Sequence, residues 1–371
     1  MSWNNDVLEM APDIGMSEPL EEVINQLLDG DFQTRWEAAK RLSAFGPEAI
    51  AHLISLVLDP DLEAEIRWFA ARTLGEFQLP QTLQALVQIL QQARDPELIA
   101  IAAEGISHFG ESGVYALVQL LDETPYRLTA VHALANIRHQ AALAPLLAAA
   151  DDPNPAVRGV AIAALGNFRA AAVDRCLLKA IDDPALAVRR EAITQLGLRP
   201  HLLTEVNLVE KLQPKLWDLA PVITEATAIA LGRLGTAPAI ASLATVLTSP
   251  HTPTALQICI VRALGWTEQL AALEALTAAQ PTASTAVQLA MVAALAQWQA
   301  PPLRQAAGEA LTRWLQTEVS AAEGRAEMKQ AIALALGHLH HHAALPLLQT
   351  LAQDPHAPTQ LHAAAALRRF A

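Results

Sequence analysis

Residues 146–200 read LLAAADDPNPAVRGVAIAALGNFRAAAVDRCLLKAIDDPALAVRREAITQLGLRP and give nearly the same pattern twice. Asp152-Pro153, Val157-Arg158 and Leu165-Gly166 return 31 residues later as Asp183-Pro184, Val188-Arg189 and Leu196-Gly197. Each copy reads as an apolar helix, a turn opened by Asp-Pro, a second helix rich in Ala and Leu, and a glycine that stops it. Helices this short are marginal in water on their own, so each copy needs neighbours against which to bury its apolar face.

Taking the Leu near the end of the second helix as the register mark extends the pattern in both directions. The mark falls at Leu42, Leu74, Ile106, Leu134, Leu165, Leu196, Leu231, Leu264, Leu295, Leu336 and Leu367, which makes eleven units spaced 28 to 41 residues apart. The longest spacing contains a stretched first helix, Pro302 to Gln316, and a linker, Glu318 to Glu323. Four residues before the mark stand Ala38, Ala70, Ala102, Ala130, Ala161, Ala192 and Ala363. A small residue there lets paired helices approach closely. The expected architecture is all-α, one stack over residues 18–371, sharp over 20–200 and degenerate over 201–371. Residues 1–17 have no helical period and read as a flexible acidic lead.

Composition points the same way. The chain is 52% hydrophobic but only 4% aromatic, so its apolar mass is Ala and Leu, which favour helix over strand. A net charge of −13 and the lack of a basic stripe argue against nucleic acid as a partner, because phosphate binding requires cations. Two cysteines 83 residues apart, Cys176 and Cys259, support neither a disulfide framework nor a Cys-rich metal motif. The first residues do not read as a secretory signal, and no apolar run is long enough for a membrane span. The expected compartment is therefore the cytoplasm.

Seven residues before the mark lies a column of cations: Arg35, Arg67, Arg127, Arg158, Arg189 and Lys329, with Thr224, Gln257, Gln288 and Gln360 in other copies. In four copies an Asp lies six residues earlier, which pairs Asp29 with Arg35, Asp61 with Arg67, Asp152 with Arg158 and Asp183 with Arg189. An Asp at the interhelix turn can cap the second helix. The Arg can reach an Asp of its own or of the adjacent unit, so repetition predicts a ladder that fixes register.

The pattern D-x-x-x-x-V-R-x-x-A-x-x-x-L-G resembles the HEAT repeat, in particular the short form named after the phycobilin lyases. The resemblance implies an α-solenoid of about eleven helical hairpins with a concave face lined by second helices. It also implies a cyanobacterial setting and two roles. One is a non-catalytic protein-binding scaffold that partners an A-type iron–sulfur carrier. The alternative is an E/F-type phycocyanobilin lyase or a phycobilisome assembly or degradation factor, which handles bilins or phycobiliproteins. HEAT-repeat di-iron hydroxylases bind iron through His-Glu dipeptides, and this sequence has none.

Candidate binding residues sit six and two residues before the mark. They are Trp36 with Lys40, Trp68 with Arg72, Leu128 with His132, Arg190 with Thr194, and Ile258 with Arg262. Two Trp in adjacent units, each one turn from a cation, form a recognition platform or cover the end of the stack. Trp266, Trp298 and Trp314 carry the same two readings. For a bilin lyase, Arg190 and Arg262 with a nearby carboxylate would hold the pigment. His338 and His342, four apart, have metal-ligand spacing, but the run has no acid or Cys beside it and reads as a solvated turn. Cys176 and Cys259 read as core residues. No nucleotide or nucleophile motif appears, so neither a cofactor nor a catalytic residue is expected.

Overall fold

The computed structural model describes residues 19–321 and 324–370. The acidic lead at 1–17 lies outside them, as do residues 322 and 323 of the expected linker. The chain divides into two compact units, which meet in sequence between Phe168 and Arg169. The described residues of both are helical hairpins joined by short turns.

The first unit holds five hairpins. These are α1 (Leu20–Asp29) with α2 (Phe32–Ala44), α3 (Pro47–Leu58) with α4 (Ala64–Leu74), α5 (Pro80–Gln92) with α6 (Pro96–Ser107), α7 (Glu111–Leu121) with α8 (Arg127–Asn136), and α9 (Leu143–Ala149) with α10 (Pro155–Leu165). The second unit holds six. Its hairpins are α11 (Ala171–Ala180) with α12 (Leu186–Leu196), the broken pair α13 (Leu202–Glu205) and α14 (Leu208–Leu212) with α15 (Pro221–Leu234), α16 (Ala237–Leu247) with α17 (Thr254–Gly265), α18 (Leu270–Ala279) with α19 (Thr285–Leu295), α20 (Pro301–Ser320) with α21 (Ala326–His338), and α22 (Leu345–Leu351) with α23 (Ala357–Leu367). The architecture is that of an α-solenoid, in which the hairpins within each unit pack on their sequence neighbours.

Local sequence sets these boundaries. Proline opens α3, α5, α6, α10, α15 and α20, where its missing N–H would be unbonded in any case and its fixed φ suits a helix. The register column forms the core. Every mark residue from Leu42 to Leu336 is buried, and so are the seven alanines four positions earlier. Leu367 is only half-buried, because no further hairpin follows it within the described residues. Second helices touch through small residues. A Cβ on Gly75 of α4 would lie 2.9 Å from Gly105 Cα of α6, and one on Gly337 of α21 would lie 2.9 Å from Ala366 Cα of α23. A larger side chain there would push the backbones apart.

Two irregularities account for the blurred second half. The first helix of the seventh hairpin is broken where Asn207 adopts φ +52°, a left-handed conformation that Asn tolerates better than most residues. Residues 318–320, expected in a linker, instead extend α20, and Glu318 is buried. Its carboxylate accepts the Arg325 backbone N–H at 2.9 Å and the guanidinium, while Arg325 Nη1 also donates to Gln288 Oε1 at 2.7 Å. Burial raises the Glu318 pKa, but the hydrogen bonds and charge of Arg325 outweigh it and hold the carboxyl below the ordinary glutamate value.

Candidate functional site

The cation column makes both the adjacent-hairpin carboxylate contacts that were expected and backbone-carbonyl contacts that were not. Each arginine donates to a backbone carbonyl at the C-terminal end of its own first helix or in the following turn. Arg35 reaches Leu28 O at 3.1 Å, Arg67 reaches Val57 O at 3.1 Å, Arg127 reaches Leu121 O at 2.9 Å, Arg158 reaches Asp152 O at 2.9 Å and Arg189 reaches Asp183 O at 2.9 Å. A cation suits the unsatisfied carbonyls and negative dipole end of a helix. The pairings of Asp29 with Arg35 and Asp61 with Arg67 are therefore corrected. Both aspartates are exposed, and Arg35 instead meets Glu63 at 3.1 Å and Glu65 at 3.4 Å in the next hairpin. The capping role given to Asp29 falls to Asp31, which accepts Thr34 N–H.

Where an Asp does take part, its two oxygens divide the work between hairpins. Asp152 Oδ1 accepts Asn154 N–H within its own turn, and Oδ2 accepts Arg127 Nη1 of the preceding hairpin at 3.2 Å. Asp354 repeats this with His356 N–H and Lys329 Nζ, while Asp218 accepts Ala220 N–H and forms an ion pair with Arg189 Nε at 3.5 Å. The His356 N–H, with Lys329 behind it, lowers the Asp354 pKa against the opposing effect of burial. Gln257, Gln288 and Gln360 keep the carbonyl contact, to Leu247 O, Gln280 O and Asp354 O. Apart from exposed Gln360, these cations and glutamines are buried or half-buried.

The binding candidates Trp36, Lys40, Trp68 and Arg72 come together on α2 and α4. The Arg72 guanidinium lies 4.8 Å from the Trp36 ring centroid and 5.6 Å from that of Trp68, and Lys40 Nζ lies 5.4 Å from Trp36. Phe69 anchors the cluster from the core, edge-on to Trp36 and Trp68. Phe32, 59% exposed, stacks beside Trp36. Phe32 and Trp68 then wall a groove of roughly 780 Å³ floored by Ala64, Ala100 and Ile101 and edged by Glu65, Asp95, Glu97 and Glu104. Ala100 and Glu104 occupy the same two register columns as Trp68 and Arg72, so the columns locate the groove. Its acidic edge was not anticipated, although Glu97, Ala100, Ile101 and Glu104 follow one helical stripe in the sequence.

Arg190 and Arg262 belong to the other unit, on α12 and α17 with α15 between them. Arg190 and Thr194 line a groove of about 250 Å³ with Glu225 and Arg233 of α15, and Arg262 is not among its lining residues. Trp298 and Trp314 are core residues and leave the recognition reading. Trp298 is 1% exposed and donates its indole N–H to Gly265 O at 2.8 Å. Trp266 remains exposed. Cys259 is half-buried, with Sγ 3.8 Å from Glu225 O, and burial raises its thiol pKa. Cys176 is also half-buried.

In the histidine run His338, His340 and His342 are exposed, as in a solvated turn, and only His341 departs from it. α21 ends at His338 and His340 has φ +49°, so His338 and His342 do not share a helix face. His341 turns its ring towards Gly308, where a Cβ would come within 2.5 Å. Burial lowers the His341 pKa. Among the described residues, no three His, Cys, Asp or Glu side chains converge as metal ligands. No helix there is long and apolar enough to cross a membrane.

The hairpin geometry and the repeated Asp–Arg contacts meet a matching family profile, that of HEAT repeats, over residues 17–107 and 114–197. The match covers the sharply repeated part of the chain. Among solved structures, the chain is similar to Kap121p, at 15% identity over 94% of this chain and 45% of that one, with a TM-score of 0.59. It is similar too to importin beta, at 13% identity over 95% of this chain and 55% of that one, with a TM-score of 0.60. Identity this low shows the fold alone. The chain spans about half the length of these solenoids. No curated protein matches its sequence.

Proposed function

We propose that this HEAT-repeat chain is a non-catalytic protein-binding scaffold and that the second-helix face of α2, α4 and α6 is its docking surface. The observation that carries the reading is the groove walled by Phe32 and Trp68, where aromatic side chains stand beside an apolar floor that no other described residue fills. Aromatic and arginine side chains dominate the energetics of protein interfaces, and here both are already held rigid by stacking. Kap121p has been solved bound to Pho4p and to the SUMO protease Ulp1p, so in that protein a fold of this kind binds protein.

The phycobilin-handling alternative is less well supported. Bilin propionates need cations, and the cations nearest to that requirement line a groove of about 250 Å³, below the ~300–1,000 Å³ usual for small-molecule sites. The larger groove is edged by carboxylates, which repel propionates. An A-type iron–sulfur carrier is the partner that the family resemblance implies.

Affinity capture from a cyanobacterial lysate tests the scaffold reading, with the full chain and the Phe32→Ser/Trp68→Ala variant as parallel baits. Visible absorbance of each eluate is recorded before its proteins are identified. A colourless protein held by the chain and lost with the variant is the expected result. A bilin band that both baits retain equally would overturn it.

A further inference from the structure

The groove's carboxylates say what kind of segment it takes. We infer that the groove between α4 and α6 binds an extended basic segment of a protein partner, one that sets an apolar side chain against Phe32, Trp68 and Ile101 while its lysines or arginines reach Glu97 and Glu104. The inference rests on the scaffold reading and narrows it to a chemical class of partner.

Three observations carry it. The first is charge. Four acidic residues edge the groove and no basic residue is among those that line it. Glu65 is partly neutralised by Arg35 at 3.4 Å, and one Asp95 oxygen accepts Glu97 N–H. Glu97 and Glu104 are exposed, seven residues apart on the same stripe of α6. The second is the apolar surface between them. Ala100 and Ile101 separate the two carboxylates, and Phe32 and Trp68 face them from the neighbouring helices. Carboxylates beside the exposed Phe32 ring suit a cation twice over, because a ring face also attracts positive charge, as Arg72 over Trp68 already shows.

The third is spacing. Seven residues of α-helix advance about 10.5 Å. Successive same-face side chains of a polyproline II segment repeat every three residues, at about 9.3 Å. Cations three residues apart on such a segment therefore match the spacing of Glu97 and Glu104, while the apolar row about 120° around the segment meets the aromatic wall. The chain's own first residues do not meet this requirement. Residues 1–18 contain Asp6, Glu9, Asp13 and Glu18 and no Lys or Arg.

The test is fluorescence anisotropy with labelled synthetic peptides that carry repeated Lys-Pro-Leu triplets, against versions with Glu in place of Lys or Ser in place of Leu. The protein is the full chain, the Glu97→Lys/Glu104→Lys variant, the Phe32→Ser/Trp68→Ala variant, and Glu21→Lys/Glu22→Lys. The last makes the same change in net charge at exposed positions of α1 outside the groove. Binding of the Lys-Pro-Leu peptide, at least tenfold weaker for the Glu peptide, for the groove reversal and for the aromatic variant, is expected. The α1 reversal should leave it within about twofold. Equal weakening by both charge reversals would show a general attraction to an acidic protein and overturn the inference, as would equal binding of the acidic peptide. Failure of every peptide, with a colourless partner still captured through Phe32 and Trp68, would overturn the basic-segment class and leave the scaffold reading standing.

Discussion

Asp152 has one oxygen on its own turn and the other on Arg127 of the preceding hairpin. Removing it therefore loosens two hairpins at once, whereas removing Arg127 leaves the turn intact. Charge-assisted hydrogen bonds of low exposure contribute about 1.5–3 kcal/mol. A double-mutant cycle of Arg127→Met and Asp152→Asn should show a coupling of about 1 kcal/mol or more. Amide hydrogen exchange in α8 and α10 reads it, because repeat stacks open locally. Glu318 gives a pH prediction. Its folded pKa is depressed, so its contact with Arg325 contributes fully above the unfolded value near pH ~4.3 and is lost as pH falls through the lower folded value. Urea denaturation at a series of pH values should show that acid limb in the parent chain and its loss in Glu318→Gln. At this scale the sequence was only half legible. The Arg spacing and an acidic partner in the adjacent hairpin were visible, but the backbone-carbonyl acceptors were not, because a carbonyl leaves no mark in residue identity. The Glu318–Arg325 contact was hidden for a different reason, because it breaks the repeat.

At the scale of the helix pair, contact between second helices depends on small residues. Gly105 meets both Gly75 Cα, at 3.1 Å from an added Cβ, and the Leu86 side chain at 3.0 Å. Gly75→Ala places its Cβ against rigid backbone and should cost about 1–3 kcal/mol. Ala51→Ser, on the exposed face of α3, should stay within about 0.5 kcal/mol. Thermal unfolding of the two variants checks the contrast. Helix positions and the alanine column were legible because hydrophobic period and close packing are written in every copy. The broken first helix before α15 was not, since a left-handed Asn207 leaves no mark in the period. Trp298 and Trp314 misled for a related reason. A Trp in a later copy reads the same from sequence whether its indole N–H meets solvent or, as for Trp298, a Gly265 carbonyl.

For the whole molecule, a net charge of −13 sets the sign of what it attracts, while the fold limits where an aromatic groove and carboxylates coincide. The degenerate half keeps its first-helix contacts through glutamines, so loss of Arg there removes the carboxylate half of the ladder without removing the hairpins. The register columns found in the sequence run through the grooves of both units. Depth and acidity depend on how neighbouring helices set their side chains, and those emerged only with the structure. The most direct test of the docking surface is site-specific photo-crosslinking in lysate, with a photoreactive amino acid at exposed Ala100 in the groove or at exposed Ala51 on the first-helix face. A discrete protein adduct at Ala100, absent at Ala51 and lost when Trp68→Ala is added, is the predicted result. An adduct at Ala51 alone, or one at Ala100 that persists unchanged with Trp68→Ala, would contradict the assignment of the second-helix groove as the binding surface.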